Sequence, residues 1–326
     1  MRLSMRRLLA FVVALFAVAS AFGPIARAEG PIGKPVRILV GVTPGATTDY
    51  LARLVAQEIS RDGWTTFVEN RPGAGGTIAA GEVARSAPDG RTLLFVNTSH
   101  SVNPGLYGGR LPFDAVNDFT PIMLLASGPS VLVAAKDFPA STMEELIRLA
   151  QAQPGRLEFA VGGYGTSIHM SGELLKTMAN VDIVNVPYPG SAPALQDVLG
   201  GQVKLMFAPV INALPQVQSG RIKALGVTSV RPVPALPGVP PIAHSIPGYE
   251  SAAYFGLLGP ARMPPDVVRR IHAAAARVVR LPEVKMRLEA DGTMIVAGTP
   301  EEFRAFLLAD IEKWKLVVRR TGAKPE

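Results

Sequence analysis

Two segments combine hydroxyl and glycine residues in a pattern that suits anion binding. They are Thr43-Pro44-Gly45-Ala46-Thr47-Thr48-Asp49 and Gly162-Gly163-Tyr164-Gly165-Thr166-Ser167-Ile168-His169. Each follows an apolar run and opens a helical pattern, so each is expected to present free backbone N–H groups and the positive end of a helix dipole. Two such cradles, one in each half of the chain, point to a clamp for a small acid. On the residues alone, plainer roles stand beside this one: Gly45 permits a tight turn, Thr47 or Thr48 caps a helix, and Asp49 complements its dipole. His169 either donates to a ligand or caps its own helix, and His100, beside Thr98 and Ser99, is placed for a cleft rim. Tyr164 and Tyr188 either stack on a planar ligand or pack.

Other chemistries lack their residues. No G-x-S-x-G is present, and Ser167 and His169 are two apart with no third member, so a hydrolase has no nucleophile elbow. No histidine pair has metal-ligand spacing and the carboxylates are not clustered. The turn Gly73-Ala74-Gly75-Gly76 resembles a dinucleotide fingerprint, but Ile78 stands where the last glycine belongs. No catalytic residue, metal or cofactor is therefore expected.

The N-terminus reads as an export signal. Arg2, Arg6 and Arg7 precede the apolar run Leu8 to Phe22, and Ala26-Arg27-Ala28 supplies a small-x-small cleavage pattern ahead of Glu29. Gly23-Pro24 breaks the run before it reaches the length of a membrane anchor. Losing residues 1–28 removes four arginines and no acid, which lowers the formal charge from +7 to +3. A mild excess spread along the chain is not the basic stripe that nucleic acid needs. With no cysteine, stability must come from apolar cores, for which the 48% hydrophobic content is sufficient.

The elements that must position the two cradles alternate. Val36–Val42, Thr65–Glu69, Thr92–Asn97 and Thr120–Ala126 read as strands, with helices after the first two and Leu51, Leu54, Val55 and Ile59 on one helical face. The pattern restarts after a run at Val131–Ala135. Ser141 and Glu144 read as a capping box, followed by strands at Leu157–Val161, Ile183–Pro187, Val203–Phe207 and Ile222–Thr228 and helices at Met170–Met178 and Ala192–Leu199. Arg231 to Pro247 is proline-rich and extended. After a strand at Ala252–Leu258 come two helices, one burying Val267, Val268, Ile271, Ala275 and Val278. The other starts at Thr299-Pro300-Glu301-Glu302 and buries Phe303, Phe306, Leu307, Ile311, Trp314 and Val318. The expectation is two α/β domains, each a mostly parallel sheet flanked by helices: residues 29–127 with 247–326, and residues 128–246. The chain crosses between them near Ala126–Ser130 and Pro247–Ser251, which would form a hinge.

The order and spacing of V-R-I-L-V-G-V-T-P-G-A-T-T-D, V-E-N-R-P-G-A-G-G-T-I-A-A, A-P-D-G-R-T-L-L, N-P-G-L-Y, V-P-Y-P-G-S-A-P-A-L-Q-D-V-L-G-G-Q-V, A-L-G-V-T-S, P-A-L-P-G-V-P and F-G-L-L-G-P resemble the Bug family. These are periplasmic receptors of tripartite tricarboxylate transporters. The likeness covers essentially the whole chain after the signal. It implies a Venus-flytrap fold of type II that closes on a small carboxylate in the periplasm and delivers it to integral membrane transporter subunits. The chain is expected to be a monomer. Carried onto this chain, the family's ligand loops fall on Thr43, Pro44, Gly45, Ala46, Thr47, Thr48 and Asp49; on Asn97, Thr98 and Ser99; on Gly163, Tyr164, Gly165, Thr166, Ser167 and His169; and on Tyr188, Pro189, Gly190, Ser191 and Ala192. Thr43 replaces the family's first proline and Ala46 its second glycine, which bears on how closely a carboxylate approaches. Ala208 stands where many members carry an acid that meets an amine, which argues against an α-amino ligand. A receptor for a membrane sensor kinase and a periplasmic hydrolase are the alternatives. The first predicts binding without an uptake defect on deletion, and the second predicts turnover.

Overall fold

The computed structural model describes residues 35–290 and 292–325, so the expected export signal and its cleavage point lie outside the described residues. β1 (Val36–Val40) leads into α1 (Thr47–Arg61), β2 (Thr66–Asn70) into α2 (Thr77–Ala84), and β3 (Thr92–Asn97) into α3 (Ser99–Tyr107). β1 is nearly all apolar because it lies inside the sheet, parallel to β2 on one side and β3 on the other. α1 buries Leu51, Val55 and Ile59 along the stripe that the helical spacing marks.

The next strand departs from expectation. β4 (Phe119–Ala135) is 17 residues long and includes both the Thr120–Ala126 and Val131–Ala135 runs, with Gly128-Pro129 inside it. The Ala126–Ser130 crossing is thus continuous strand. A proline is tolerated in a strand where no ladder donor is needed, and β4 absorbs its irregularities as register shifts.

Beyond β4 follow α4 (Met143–Ala152), β5 (Leu157–Val161), α5 (Ser167–Ala179), β6 (Ile183–Pro187), α6 (Ser191–Leu199), β7 (Leu205–Pro209), α7 (Val210–Gln218) and β8 (Ile222–Val227). The cap of α4 is shifted by one residue from the Ser141 and Glu144 reading. Thr142 Oγ1 accepts the N–H of Glu145 (3.2 Å) while Glu145 Oε2 accepts the N–H of Ser141 (2.7 Å). After the extended proline-rich stretch come β9 (Ala252–Pro260), α8 (Pro265–Val278), α9 (Pro282–Ala290), β10 (Met294–Ile295) and α10 (Pro300–Thr321). The C-terminal helices are therefore three among the described residues, with α9 added. Thr299 and Glu302 close the expected capping box on α10.

The strands form one hydrogen-bonded path, β2-β1-β3-β9-β4-β7-β5-β6, with β8 and β10 also on β4. β1 to β3 and β5 to β7 carry the parallel pairings, whereas β4 and β9 are antiparallel to their neighbours. The result is an α/β fold of two lobes in the Venus-flytrap manner. β4 pairs with β9 in the first lobe and with β7 and β8 in the second. The first sheet is covered on one face by α1, α8 and α9, and on the other by α2 and the start of α10. α10 also reaches the other lobe: Phe303, Leu307 and Ile311 join the first-lobe core, while Trp314, Val317 and Val318 join the core that holds Phe159 and Phe207. Gly105 lets it approach α3, since a Cβ there would stand 3.2 Å from Val318. That contact supports α3 through Pro104 and Gly105, two residues of low helix propensity.

Candidate functional site

The strands of both lobes end, and their helices begin, at the junction of the lobes. A cleft of ≈ 270 Å³ lies there. Five helices start at its wall: α1 with Ala46 and Thr47, α3 with Thr98 and Ser99, α5 with Thr166 and Ser167, α6 with Ser191, and α7 with Pro209 and Val210. Of the five N-caps only Thr166 uses its side chain, accepting the N–H of His169. Ala46, Thr98, Gly190 and Pro209 make no side-chain capping bond, but Asn97 Oδ1 takes the first amide of α3, so the leading amides of three helices, α1, α6 and α7, lack the usual acceptor. None of the described residues on this wall is ionisable. The hydroxyls of Thr47, Ser130, Ser167 and Ser191 have no hydrogen-bond partner among the described residues. Pro129, Ile168, Val210, Ile211 and Phe255 supply the apolar part. Such a wall favours a negative group at the helix ends and an apolar body beside it.

A second compartment of ≈ 220 Å³ shares Asn97, Ser99 and Thr166 with the first. It extends past Thr48 and Gly163-Tyr164 toward the Gly75-Gly76 turn. The two lobes touch where the compartments meet, because Ser99 Oγ donates to the carbonyl of Gly165 (3.2 Å). Asn97 is held in place on both sides: its Nδ2 donates to Thr48 Oγ1 (3.3 Å) and its Oδ1 accepts the N–H of Ser99 (3.1 Å).

Each cradle is locked by the third residue of its helix. Asp49 Oδ2 accepts the N–H of Gly45 (3.0 Å), while Arg53 grips the same carboxylate through both oxygens and Asn70 donates to Oδ1. Burial pushes the Asp49 carboxyl up, but the bonds from Arg53, Gly45 and Asn70 outweigh it and hold the group below the usual carboxylate range. In the second lobe His169 Nδ1 accepts the N–H of Gly165 (3.1 Å). Behind His169 lies the buried carboxylate of Glu173, which is bonded to Asn185 and Lys176. Gly45 and Gly165 are both at positive φ, as these turns require. The N–H groups of these two glycines are thus committed within the protein, and the donors left to each cradle are the helix amides.

Of the expected site residues, the structure brings Ala46, Thr47, Asn97, Thr98, Ser99, Thr166, Ser167 and Ser191 to the first compartment and Thr48, Gly163 and Tyr164 to the second. Thr43, Pro44, Gly45, Asp49, Gly165, His169, Tyr188, Pro189, Gly190, Ala192 and Ala208 lie off both walls. Asp49 and His169 are the internal locks just described. Tyr188 turns its hydroxyl to Asp197 (2.7 Å), and burial together with that carboxylate pushes it up to about 12. Ala208 is buried in β7 opposite Val131. His100 lines the second compartment, but its Nε2 is bonded to the carbonyl of Ala115 (2.8 Å) between Phe113 and Phe119.

Sequence reading missed the residues that the crossing strands contribute: Pro129 and Ser130 from β4, and Ala253 and Phe255 from β9. It also missed Pro209 to Ile211, where the strand ends in a proline that serves as the N-cap of α7. Thr293 reaches the wall from the segment before β10, and no local pattern announces it.

Comparison with known proteins agrees with this arrangement. Residues 51–323 match the family described as tripartite tricarboxylate transporter family receptor. The UPF0065 protein in the tcbD-tcbE intergenic region of Pseudomonas sp. (strain P51) is 36% identical over 289 residues, covering 87% of this chain and 86% of its own length. Protein BugT of Bordetella pertussis is 30% identical over 325 residues, 99% of each chain. Among solved structures, R. palustris Rpa4515 with adipate superposes with a TM-score of 0.77 at 32% identity, covering 90% of this chain and 99% of that one. MatC from Rhodopseudomonas palustris with bound malate gives 0.76 at 32% identity, over 88% and 99%. On fold, on cleft and on sequence match along nearly its whole described length, this chain belongs to the tripartite tricarboxylate transporter receptor family, with the Bug proteins among its relatives.

Proposed function

We propose that this chain is a periplasmic solute-binding receptor that captures a small organic carboxylate in the interlobe cleft and passes it to the membrane subunits of a tripartite transporter. One observation carries the reading: three helix N-termini without a side-chain cap, those of α1, α6 and α7, converge on a cavity whose described wall residues are uncharged. A carboxylate entering there meets preoriented donors, each charge-assisted hydrogen bond contributing about 1.5–3 kcal/mol net. No arginine is needed. Thr47 from the first lobe and Ser167 and Ser191 from the second are the residues we assign to direct contact. The relatives solved with adipate and malate support a carboxylate as the class.

Capture requires the lobes to close. β4 and the segment ahead of β9 are the crossings between residues 29–127 with 247–326 and residues 128–246, and closure pivots on them. A ligand that bridges the α1 and α5 amides binds the closed form better, and that difference drives the motion.

Isothermal titration of the mature chain with adipate and with malate tests the proposal. The expected result is saturable one-to-one binding with the acid recovered unchanged, weakened about fivefold by Ser167→Ala and by Ser191→Ala. Absence of any binding across mono-, di- and tricarboxylates overturns it. Recovery of an altered acid would instead establish an enzyme.

A further inference from the structure

The two compartments differ in the hydrogen-bonding atoms they leave open. The first offers donors, whereas the second is lined by two buried residues, Asn103 and His100, that each leave an acceptor atom open. Asn103 is 2% exposed, and its Nδ2 donates to the carbonyl of Gly75 (3.0 Å), which fixes Oδ1 as the open atom of the amide. No described residue donates to that oxygen. A Cβ at Gly75 would stand 3.0 Å from it, so glycine at positive φ keeps the space beside it clear. His100 is 4% exposed and uses Nε2 on Ala115, leaving Nδ1 as an acceptor that no described residue fills. Burial holds the His100 ring at about 4, so at neutral pH it carries no charge and stays an acceptor. Neither atom is among the buried, unpaired polar atoms of the described residues, so water can reach both, and a ligand group bearing O–H or N–H can take that water's place.

Resting on the carboxylate reading of the first compartment, we infer that the ligand is a carboxylic acid whose far end carries a hydrogen-bond donor, a hydroxyl, phenol or amide N–H, seated in the second compartment against Asn103 and His100. The two chambers share Asn97, Ser99 and Thr166, so one molecule can occupy both. The N-P-G-L-Y motif gains a role here: Gly105 admits α10, and Asn103 faces the chamber.

Matched pairs of acids test this on the mature chain by isothermal titration: benzoate against para-hydroxybenzoate, and hexanoate against its omega-hydroxy form. The hydroxylated member of at least one pair should bind about tenfold tighter, the upper end of what one neutral hydrogen bond contributes net. In Asn103→Leu that preference should fall below about threefold while affinity for the plain acid is retained. Retained affinity for the plain acid also shows that the variant is folded. Because the wild-type pairs are decisive without the variant, equal affinity within each pair overturns the inference and leaves the carboxylate reading standing. If neither pair binds, and adipate and malate fail as well, both readings fall.

Discussion

The two junctions that open α1 and α5 are built on one plan and finished differently. In each, a glycine at positive φ is followed by the N-cap, and the third helical residue turns its side chain back to accept that glycine's N–H: Gly45 to Asp49, and Gly165 to His169. In the first lobe the acceptor is a buried carboxylate neutralised by Arg53, and the N-cap is Ala46, which has no hydroxyl. In the second lobe the acceptor is an imidazole, and Thr166 caps the helix with its own side chain. The difference teaches that the loop is held by a side chain outside the cavity while the helix amides are left to the ligand. It also teaches that the two lobes leave unequal numbers of amides open.

The largest expected effect breaks the first junction. Asp49→Ala leaves Arg53, Asn70 and the N–H of Gly45 without their shared acceptor and should cost about 3 kcal/mol in urea unfolding. His169→Ala removes a neutral acceptor and should cost less. Equal losses at the two sites would end the distinction between a charged and an uncharged lock.

Acid sharpens the same contrast, since the first lobe also contains His100 at the start of α3. Burial lowers its pKa from 6.5 to about 4, so the unfolded chain takes up the proton first. The stability that depends on neutral His100 is complete above pH 6.5 and is lost as pH falls toward 4, amounting to about 2 kcal/mol between pH 7 and pH 5. His100→Leu should flatten that part of the stability profile, measured by denaturant titration at both pH values. An unchanged slope would place the acid sensitivity elsewhere.

The smallest effects come from exchanging the caps. Thr166→Ala should cost about 1 kcal/mol, and Ala46→Ser should gain about 0.5 kcal/mol. If the α1 amides serve the ligand, Ala46→Ser gains stability and loses affinity together, which thermal melts and titration can read on one sample. A gain in both would remove α1 from the site.

Much of this was legible in the residues. Apolar runs marked nine of the ten described strands in some form, and the stripe Leu51, Val55 and Ile59 marked the buried face of α1. The glycine and hydroxyl clusters marked both junctions. Three helices, α3, α7 and α9, escaped; two of them carry an internal proline, Pro104 and Pro215, which weakens the local helical signal. The roles of Asp49 and His169 escaped for another reason. An acceptor beside free amides reads equally as a ligand contact or as a lock until the direction of its side chain is known.

The sequence by itself determined most of the segments that become strands and helices, and that uncharged amide-rich turns precede two of the helices, because periodicity and glycine conformation are local properties. Tertiary structure alone decided that β4 runs unbroken through both lobes, that five helix ends meet at one cavity, and that Pro129, Phe255 and Thr293 join them. Those facts depend on strand pairing between residues more than 100 positions apart, such as Pro129 with Ala252. No short-range pattern encodes such a pairing, since its free energy appears only when the whole sheet is assembled.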